Sequence, residues 1–289
     1  MNPVKIFGTL SHSFHSTPRG GLARDGGPLP NGRGSVSGRG SVSGGGFVAA
    51  SGSVSGGGVV AGSGAVTDRG SVTGPTTPYG QYILNTDEGI VGQIEMVWGR
   101  FWYESRFQGT QPVADVGPGR CWFTRQNPSG IVAIDNAPDL VEHYAAQQLQ
   151  ITLGNAYEIP FPDAYFEGVF CCWLLEHLPD PARAMVEFHR VLKPGGLCTI
   201  VVPTPVNMVA FYEDYTHIRP FTVPSLRQLA AAGGFTRART ENLPWTRGMR
   251  YLYRRLGAQA SYRYMLFGDR YLRRLGVRNR CHLVMDAWK

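Results

Sequence analysis

Five short apolar runs, separated by stretches of helical periodicity, limit this chain to one broad architecture. They are Pro112–Val116, Gly130–Asp135, Leu149–Leu153, Phe166–Trp173 and Leu197–Val202. Runs of this length with apolar residues at consecutive positions read as strands buried on both faces. The intervening segments carry helix signals. Pro138–Gln148 forms one helix. Asp180 caps another with Pro181 at its first position, Met185, Phe188 and Leu192 mark its buried stripe, and Lys193-Pro194-Gly195-Gly196 stops it. Before the first strand, Glu88–Arg106 spaces Ile90, Ile94, Val97, Trp98, Phe101 and Trp102 as a wide apolar stripe. Thr222 and Pro224 start one more helix, ended by Gly233-Gly234. A sixth strand follows Phe235 and a seventh spans His282–Trp288. Strands alternating with helices predict an α/β domain over residues 78–289, built on a doubly wound, seven-stranded, mostly parallel sheet.

Residues 1–77 are of a different kind. From Gly34 to Pro75 the sequence repeats every six residues with valine third in each hexad: Val36, Val42, Val48, Val54, Val60, Val66 and Val72. One valine per six among glycines buries too little surface to offset the entropy of ordering them, so a disordered Gly/Ser-rich tail is expected. A short hexapeptide β-solenoid is the competing reading. The opening residues lack the apolar region of a secretory signal, and a transit peptide is only faintly suggested by acid-free residues 1–24.

Charge and cysteine usage narrow the partners. The net charge is +7, yet residues 245–280 alone hold ten arginines and one acid, Asp269, a local net of +9. The basicity belongs to that insertion between the last two strands. The five cysteines (Cys121, Cys171, Cys172, Cys198, Cys281) include no CxxC spacing, which suits a reducing, cytoplasmic location. No Cys or His pair has metal-ligand spacing, so no metal site is expected. No apolar run is long enough to span a bilayer.

The first strand ends in Asp115-Val116-Gly117-Pro118-Gly119-Arg120-Cys121, and the second ends in Asp135. A glycine turn lets a ligand lie against the backbone, and the next strand's acid can hold ribose hydroxyls. Dinucleotide-binding and methyl-transferring proteins share this logic. Two features favour the latter. Trp122 stands where a G-x-G-x-x-G fingerprint needs its third glycine. Asp115 at the turn repels a diphosphate but attracts the sulfonium and α-ammonium of S-adenosylmethionine. Asn155, after the third strand, is placed for an adenine edge.

The stretch from Asp115 to Thr204 resembles the class I S-adenosylmethionine-dependent methyltransferases of the ubiquinone/menaquinone-biosynthesis type. The resemblance rests on Ala114-Asp115-Val116-Gly117-Pro118-Gly119, Ile134-Asp135, Gly154-Asn155-Ala156 with Pro160-Phe161-Pro162-Asp163, Phe170-Cys171-Cys172-Trp173-Leu174-Leu175-Glu176-His177, and Val191-Leu192-Lys193-Pro194-Gly195-Gly196. It extends to Tyr215-Thr216-His217-Ile218-Arg219-Pro220-Phe221-Thr222. It implies a Rossmann-like methyltransferase fold. It also implies that Gly117 and Gly119 receive the methionine portion, with Asp115 ordering the turn and the amino group. Asp135 takes the ribose hydroxyls, Asn155 and the Ala156 amide meet adenine, and Cys172 and Trp173 border the methionine side. Two departures stand out: Cys121 replaces a family glycine, and Asn155 replaces the acid before Ala156.

Methyl transfer to oxygen benefits from a general base. His177, just past the fourth strand, and His217, in the loop after the fifth, are the candidates. His177 also reads as a structural residue at a helix start. The expected acceptor is a small or lipid- or sugar-linked molecule. The arginine-rich segment carries one stripe of Met249, Leu252, Tyr253 and Leu256 and another of Tyr271, Leu272 and Leu275, flanked by Arg254, Arg255, Arg273 and Arg274. Peripheral contact with anionic lipid, a solvated face over a local core, and nucleic-acid contact are the three readings; no nucleic-acid motif supports the last. A non-catalytic methyltransferase-like scaffold and a nicotinamide oxidoreductase are the rival functions.

Overall fold

The computed structural model describes residues 77–86, 89–205, 208–242, 248–272, 274 and 282–289. The hexad tail and the amino-terminal residues lie outside the described residues, as do Arg247, Arg273, Leu275, Arg278, Arg280 and Cys281.

Strands β1 (Val113–Val116) and β2 (Ile131–Asp135) are buried at every position. Such segments, apolar apart from Asp115 and Asp135, suit the middle of a parallel sheet, where both faces are covered. They pair in parallel with each other, β1 also with β4 (Phe166–Cys172), and β2 with β3 (Ile151–Leu153). Parallel β5 (Leu192–Pro203) lies beside β4. Then β7 (His282–Trp288) runs antiparallel between β5 and β6 (Arg237–Asn242). The order is β3-β2-β1-β4-β5-β7-β6. Winding reverses between β1 and β4, so the crevice at their carboxyl ends is the topological switch point where open α/β sheets bind ligands.

Helices cover both faces. Helix α1 (Pro78–Asn85) and helix α2 (Gly89–Trp102), with the π-helical turn Tyr103–Phe107 after it, precede the sheet. Helix α3 (Pro138–Ala145) links β2 to β3. Helix α4 (Pro181–Val191) begins as the sequence dictates: the Asp180 carboxylate accepts from the Arg183 amide at 3.1 Å, and Pro181 follows. Its buried positions, Ala184, Met185, Phe188 and Val191, fall on one stripe that packs with Leu226 and Leu229 of α6 (Val223–Ala232). Burying a side chain such as Phe188 is worth about 1.5–3 kcal/mol. A short helix α5 (Met208–Phe211) sits in the loop after β5, and α7 (Met249–Phe267) fills the connection from β6 to β7. On the opposite face, Trp98, Phe101, Trp102, Phe107, Trp122, Phe123 and Phe170 form an aromatic core joined by Met265 of α7 and Val284 of β7.

The seven-stranded, mostly parallel sheet agrees with the expected fold class, with local differences. Helix α1 was not expected, because Pro78 reads as the end of the tail; instead Thr77 is its cap, accepting from Gly80, and Pro78 its first position. Helix α3 is shorter than Pro138–Gln148 because Gln148 adopts a positive φ of 64°. Lys193–Gly196, expected as a plain stop, belongs to β5, which starts directly at the end of α4. Of the stripe expected from Met249 to Leu256, Met249 is buried and Leu252 and Tyr253 are half-buried, while Leu256, next to the break at Gly257 (φ 76°, ψ −172°), is 65% exposed.

Candidate active site

The row of strand ends β4-β1-β2-β3 carries the expected cofactor residues in order. Adjacent strands lie about 4.8 Å apart, so this row spans about 14 Å, suited to an elongated ligand. At its centre Gly117 and Gly119 take left-handed φ values of 70° and 53°. The Gly117 amide donates to Ile134 O of β2 at 3.0 Å. A Cβ added at Gly119 would meet only the Tyr79 hydroxyl, at 3.6 Å, so the surface over the turn is open apart from that side chain.

Asp115 is buried and its Oδ2 accepts from the Thr124 hydroxyl at 2.7 Å. Burial pushes its pKa up to about 7, against the pull of the Thr124 hydrogen bonds, and the charge of Asp135 adds to the rise. Asp135 is likewise buried; its Oδ1 accepts from the Ala137 amide at 2.9 Å, and burial raises its pKa to about 6. Two buried carboxyls at adjacent strand ends, the charge of Asp135 raising the pKa of Asp115, favour a positively charged ligand. This donor set and the open glycine turn fit S-adenosylmethionine: Asp115 and the turn amides would hold the amino-acid portion and Asp135 the ribose.

Cys121, where the family has glycine, keeps the glycine-like backbone with φ 55°. The left-handed region costs a residue with a Cβ about 1–2 kcal/mol. Its side chain is fully buried among Ala133, Ala137, Leu140 and Tyr144 under α3, so the extra atoms fill core space. Asn155 is exposed, and its Oδ1 accepts from the Tyr157 amide at 2.7 Å, which leaves one lone pair for an adenine amino group. Ala156 beside it is buried. Arg190 fastens this loop from α4, donating to Ile159 O and Phe161 O at 2.9 Å each, while Glu187 accepts from the Ile159 amide at 2.6 Å.

On the β4 side, Cys172 is buried, and burial holds its thiol well above the ordinary range, leaving an uncharged wall. Trp173 has φ 55°, donates from Nε1 to His282 Nδ1 at 3.3 Å, and packs against Trp98 and Trp122. His282 accepts that bond as a neutral ring, its pKa lowered by burial to about 4.

His177 and His217 come together, with ring centroids 4.7 Å apart. His177 lies in the turn Leu175–His177 after β4; the backbone of that turn is stitched to the following loop, since Glu176 O accepts from the Ile218 amide at 2.8 Å. His217 Nδ1 lies 2.6 Å from Phe211 O; a carbonyl only accepts, so this nitrogen carries the proton. Thr216 Oγ1 donates to Asp214 Oδ1 at 2.6 Å, so at 2.9 Å it accepts from His177 Nδ1. In the neutral form of each ring the lone pair is then on Nε2.

Sequence reasoning missed three participants. Tyr79 brings its hydroxyl over the turn, where burial first and Asp135 second push its pKa up. The signal was Thr77-Pro78, a cap followed by a first-position proline. Glu95 of α2 pairs with Arg120 of the turn at 3.4 Å, both side chains nearly buried. Glu176, between two residues singled out by motif, is 1% exposed.

Comparison with known proteins agrees with this geometry. A family model described as a methyltransferase domain matches residues 114–200. The ubiquinone/menaquinone biosynthesis C-methyltransferase UbiE of Desulfotalea psychrophila is 31% identical over 163 residues, covering 53% of this chain and 66% of that protein. A demethylmenaquinone methyltransferase of Lysinibacillus sphaericus is 44% identical over 74 residues, 24% of this chain and 32% of its own length. The chloroplastic 2-methyl-6-phytyl-1,4-hydroquinone methyltransferase 2 of rice is 27% identical over 151 residues, 48% of this chain and 43% of its own. The matched stretches thus span at most about two thirds of these relatives. Among solved structures, a SAM-dependent methyltransferase from Archaeoglobus fulgidus superposes with a TM-score of 0.54 at 20% identity, over 72% of this chain and 99% of that one. An antiparallel β7 between β5 and β6 departs from the 3-2-1-4-5-6 order of dinucleotide-binding folds, which removes the oxidoreductase reading. The fold and site define a class I methyltransferase. The chain belongs to the S-adenosylmethionine-dependent methyltransferases of the ubiquinone/menaquinone-biosynthesis type, and S-adenosylmethionine is the cofactor of that class.

Proposed function

We propose that this protein transfers the methyl group of S-adenosylmethionine to an oxygen of a small, lipid-linked or sugar-linked acceptor. The observation that carries the reading is the pair of adjacent rings of His177 and His217, each held through Nδ1, at the carboxyl edge of the sheet beyond the glycine turn. The bound cofactor supplies an activated methyl carbon and a neutral thioether leaving group. The protein's tasks are to hold the acceptor, exclude water and receive a hydroxyl proton. Asp115, Gly117, Gly119 and Asp135 hold the cofactor, with Asn155 and Ala156 at its adenine end. Cys172 and Trp173 close the methionine side, and His217, backed by His177, faces the acceptor. The free thiols Cys121, Cys171, Cys172 and Cys198 are all buried, which supports a cytoplasmic setting.

A lipid-linked acceptor is supported by the surface of α7, where Arg254 and Arg255 stand exposed beside Tyr251 (67% exposed) and Leu256 (65%). Basic residues interleaved with exposed apolar ones favour peripheral contact with anionic lipid over nucleic acid. Among the described residues no helix is long and apolar enough to cross a membrane. Similarity to a quinone-biosynthesis C-methyltransferase and a hydroquinone methyltransferase favours a second reading, methylation at a ring carbon of a hydroquinone.

One experiment separates these readings. The protein is incubated with methyl-deuterated S-adenosylmethionine and panels of hydroquinone lipids, glycolipids and small phenols, and the labelled product is located by NMR. Label on oxygen is the expected result; label on carbon selects the second reading. No transfer by folded protein that binds S-adenosylhomocysteine favours the scaffold. With an acceptor in hand, His217→Ala should lower turnover by about 100-fold or more while cofactor affinity stays within about twofold.

A further inference from the structure

Glu176 poses the question. It is 1% exposed, and neither carboxylate oxygen has a hydrogen-bond partner among the described residues. An unpartnered buried carboxyl must either hold a proton or have its charge balanced by a bound cation. No hydrogen bond joins it to the neighbouring imidazoles, although one ligand atom each from Glu176, His177 and His217 lies within 4.8 Å of the other two. The three groups converge without satisfying one another.

We propose that Glu176, His177 and His217 form a two-histidine, one-carboxylate site for a divalent transition-metal ion. Each imidazole offers the correct lone pair. His217 is held by Nδ1–H to Phe211 O, and His177 by Nδ1–H to the Thr216 hydroxyl, which itself donates to Asp214. A carbonyl behind one ring and a hydroxyl–carboxylate relay behind the other are the outer partners that orient metal-bound histidines and fix their tautomer. Asp214 Oδ2, 3.9 Å from His217 Nε2, is too far to hydrogen bond but adds negative charge to the pocket. Donor spacing in a tetrahedral zinc site is about 3.4 Å, so a small inward movement closes the set around an ion. Mixed nitrogen and oxygen donors suit Zn²⁺ or Mn²⁺ better than Mg²⁺, which prefers an all-oxygen shell.

Three protein ligands leave a coordination position open, the arrangement of catalytic rather than structural metal sites. The site follows Leu174, whose side chain lies 2.9 Å from where a Gly117 Cβ would stand, so it adjoins the cofactor turn. An acceptor hydroxyl in the open position would release its proton to solvent water more easily, giving the histidines a ligand's task in place of a base's. This step rests on the oxygen-acceptor reading; ion binding itself does not. No spacing rule finds the site, because the loop after β5 brings His217 to Glu176 and His177 only in the folded chain.

The test uses the full chain, free of affinity tag and stripped with chelator. Zn²⁺, Mn²⁺ and Mg²⁺ are titrated separately by calorimetry, with S-adenosylhomocysteine titrated in parallel. The expected result is one Zn²⁺ or Mn²⁺ per chain, with affinity falling about 10- to 100-fold in Asp214→Asn. In Glu176→Gln and His177→Ala binding is lost, while S-adenosylhomocysteine affinity in all variants stays within about twofold of the parent. Using two ligand variants guards against misfolding of one. Wild-type protein that binds S-adenosylhomocysteine but no ion overturns the proposal and leaves the methyltransferase reading standing. Ion binding without cofactor binding sinks that reading instead. Equal ion affinity in both ligand variants places the ion elsewhere and overturns the proposal.

Discussion

Asp115 shows most directly how one side chain trades stability for ligand capture. Its folded pKa, about 7, lies above the ordinary 3.8. Between those values the native state holds a proton that the unfolded chain releases, so this group's contribution is fully favourable below about pH 3.8 and is lost as the pH rises to 7. The slope is at most about 1.4 kcal/mol per pH unit. Asp115→Asn keeps an acceptor for Thr124 and removes the penalty. The cofactor-free variant should therefore melt higher than wild type at pH 7.5 and close to it at pH 4. Cofactor affinity should move the other way, falling about 10- to 100-fold as a charge-assisted contact is lost. In the wild type, affinity for S-adenosylmethionine should increase from pH 5 to 7.5, because a cationic ligand favours the ionised carboxyl. Melting curves and calorimetry across that range check both signs, and a pH-independent affinity would count against Asp115 as the cation's partner.

Among the elements, α1 is the one whose docking is most exposed to a single substitution. The Thr77 amide and hydroxyl donate to the Asp139 carboxylate at 3.2 and 3.0 Å, and a Cβ on Gly80 would sit 2.0 Å from the same carboxylate. Gly80→Ala must turn Asp139 away and break both bonds, lifting α1 and with it Tyr79 from the turn. Domain stability should change by about 1–3 kcal/mol, since the rest of the core is untouched. Protection of the α1 amides from hydrogen exchange should fall, and S-adenosylhomocysteine should no longer restore it. This is also where the sequence was hardest to read. The strands were legible because buried parallel strands write themselves as continuous apolar runs, and α4 because Asp180 and Pro181 mark its start. Helix α1 has eight residues, two polar aromatics and a glycine whose reason is a carboxylate 59 positions away. Glu176 was hidden differently: nothing local distinguishes a buried glutamate from a solvated one. Asp115, Gly117 and Asp135 fell at adjacent strand ends because strand order follows from alternation, whereas the meeting of His177 with His217 depended on an irregular loop.

For the whole molecule, the uneven charge matters more than its total. The net charge of +7 is concentrated in the segment that carries α7. That helix is fixed to α2 by Arg100 over the Tyr262 ring at 4.2 Å and by a hydrogen bond from Arg100 to Gln259 at 3.1 Å. The arginines of α7 itself, Arg250, Arg254, Arg255 and Arg263, are exposed. Each basic residue near an anionic bilayer contributes about 1 kcal/mol. Reversing two charges, Arg254→Glu with Arg255→Glu, should reduce binding to phosphatidylserine vesicles by at least about tenfold. Raising salt should do the same to the wild type. Cosedimentation measures both; binding that ignores salt and charge reversal would remove the lipid surface from the account.

The antiparallel β7 carries a kinetic consequence. Central strand β5 receives its second neighbour only after everything from Thr204 to Cys281 has been made, because β7 pairs with it from Leu197 to Pro203. During synthesis one flank of β5 therefore waits with its amides and carbonyls unpaired, a template that other chains can use. Translation pausing or a holding chaperone during that interval would decide how much of the nascent chain escapes aggregation.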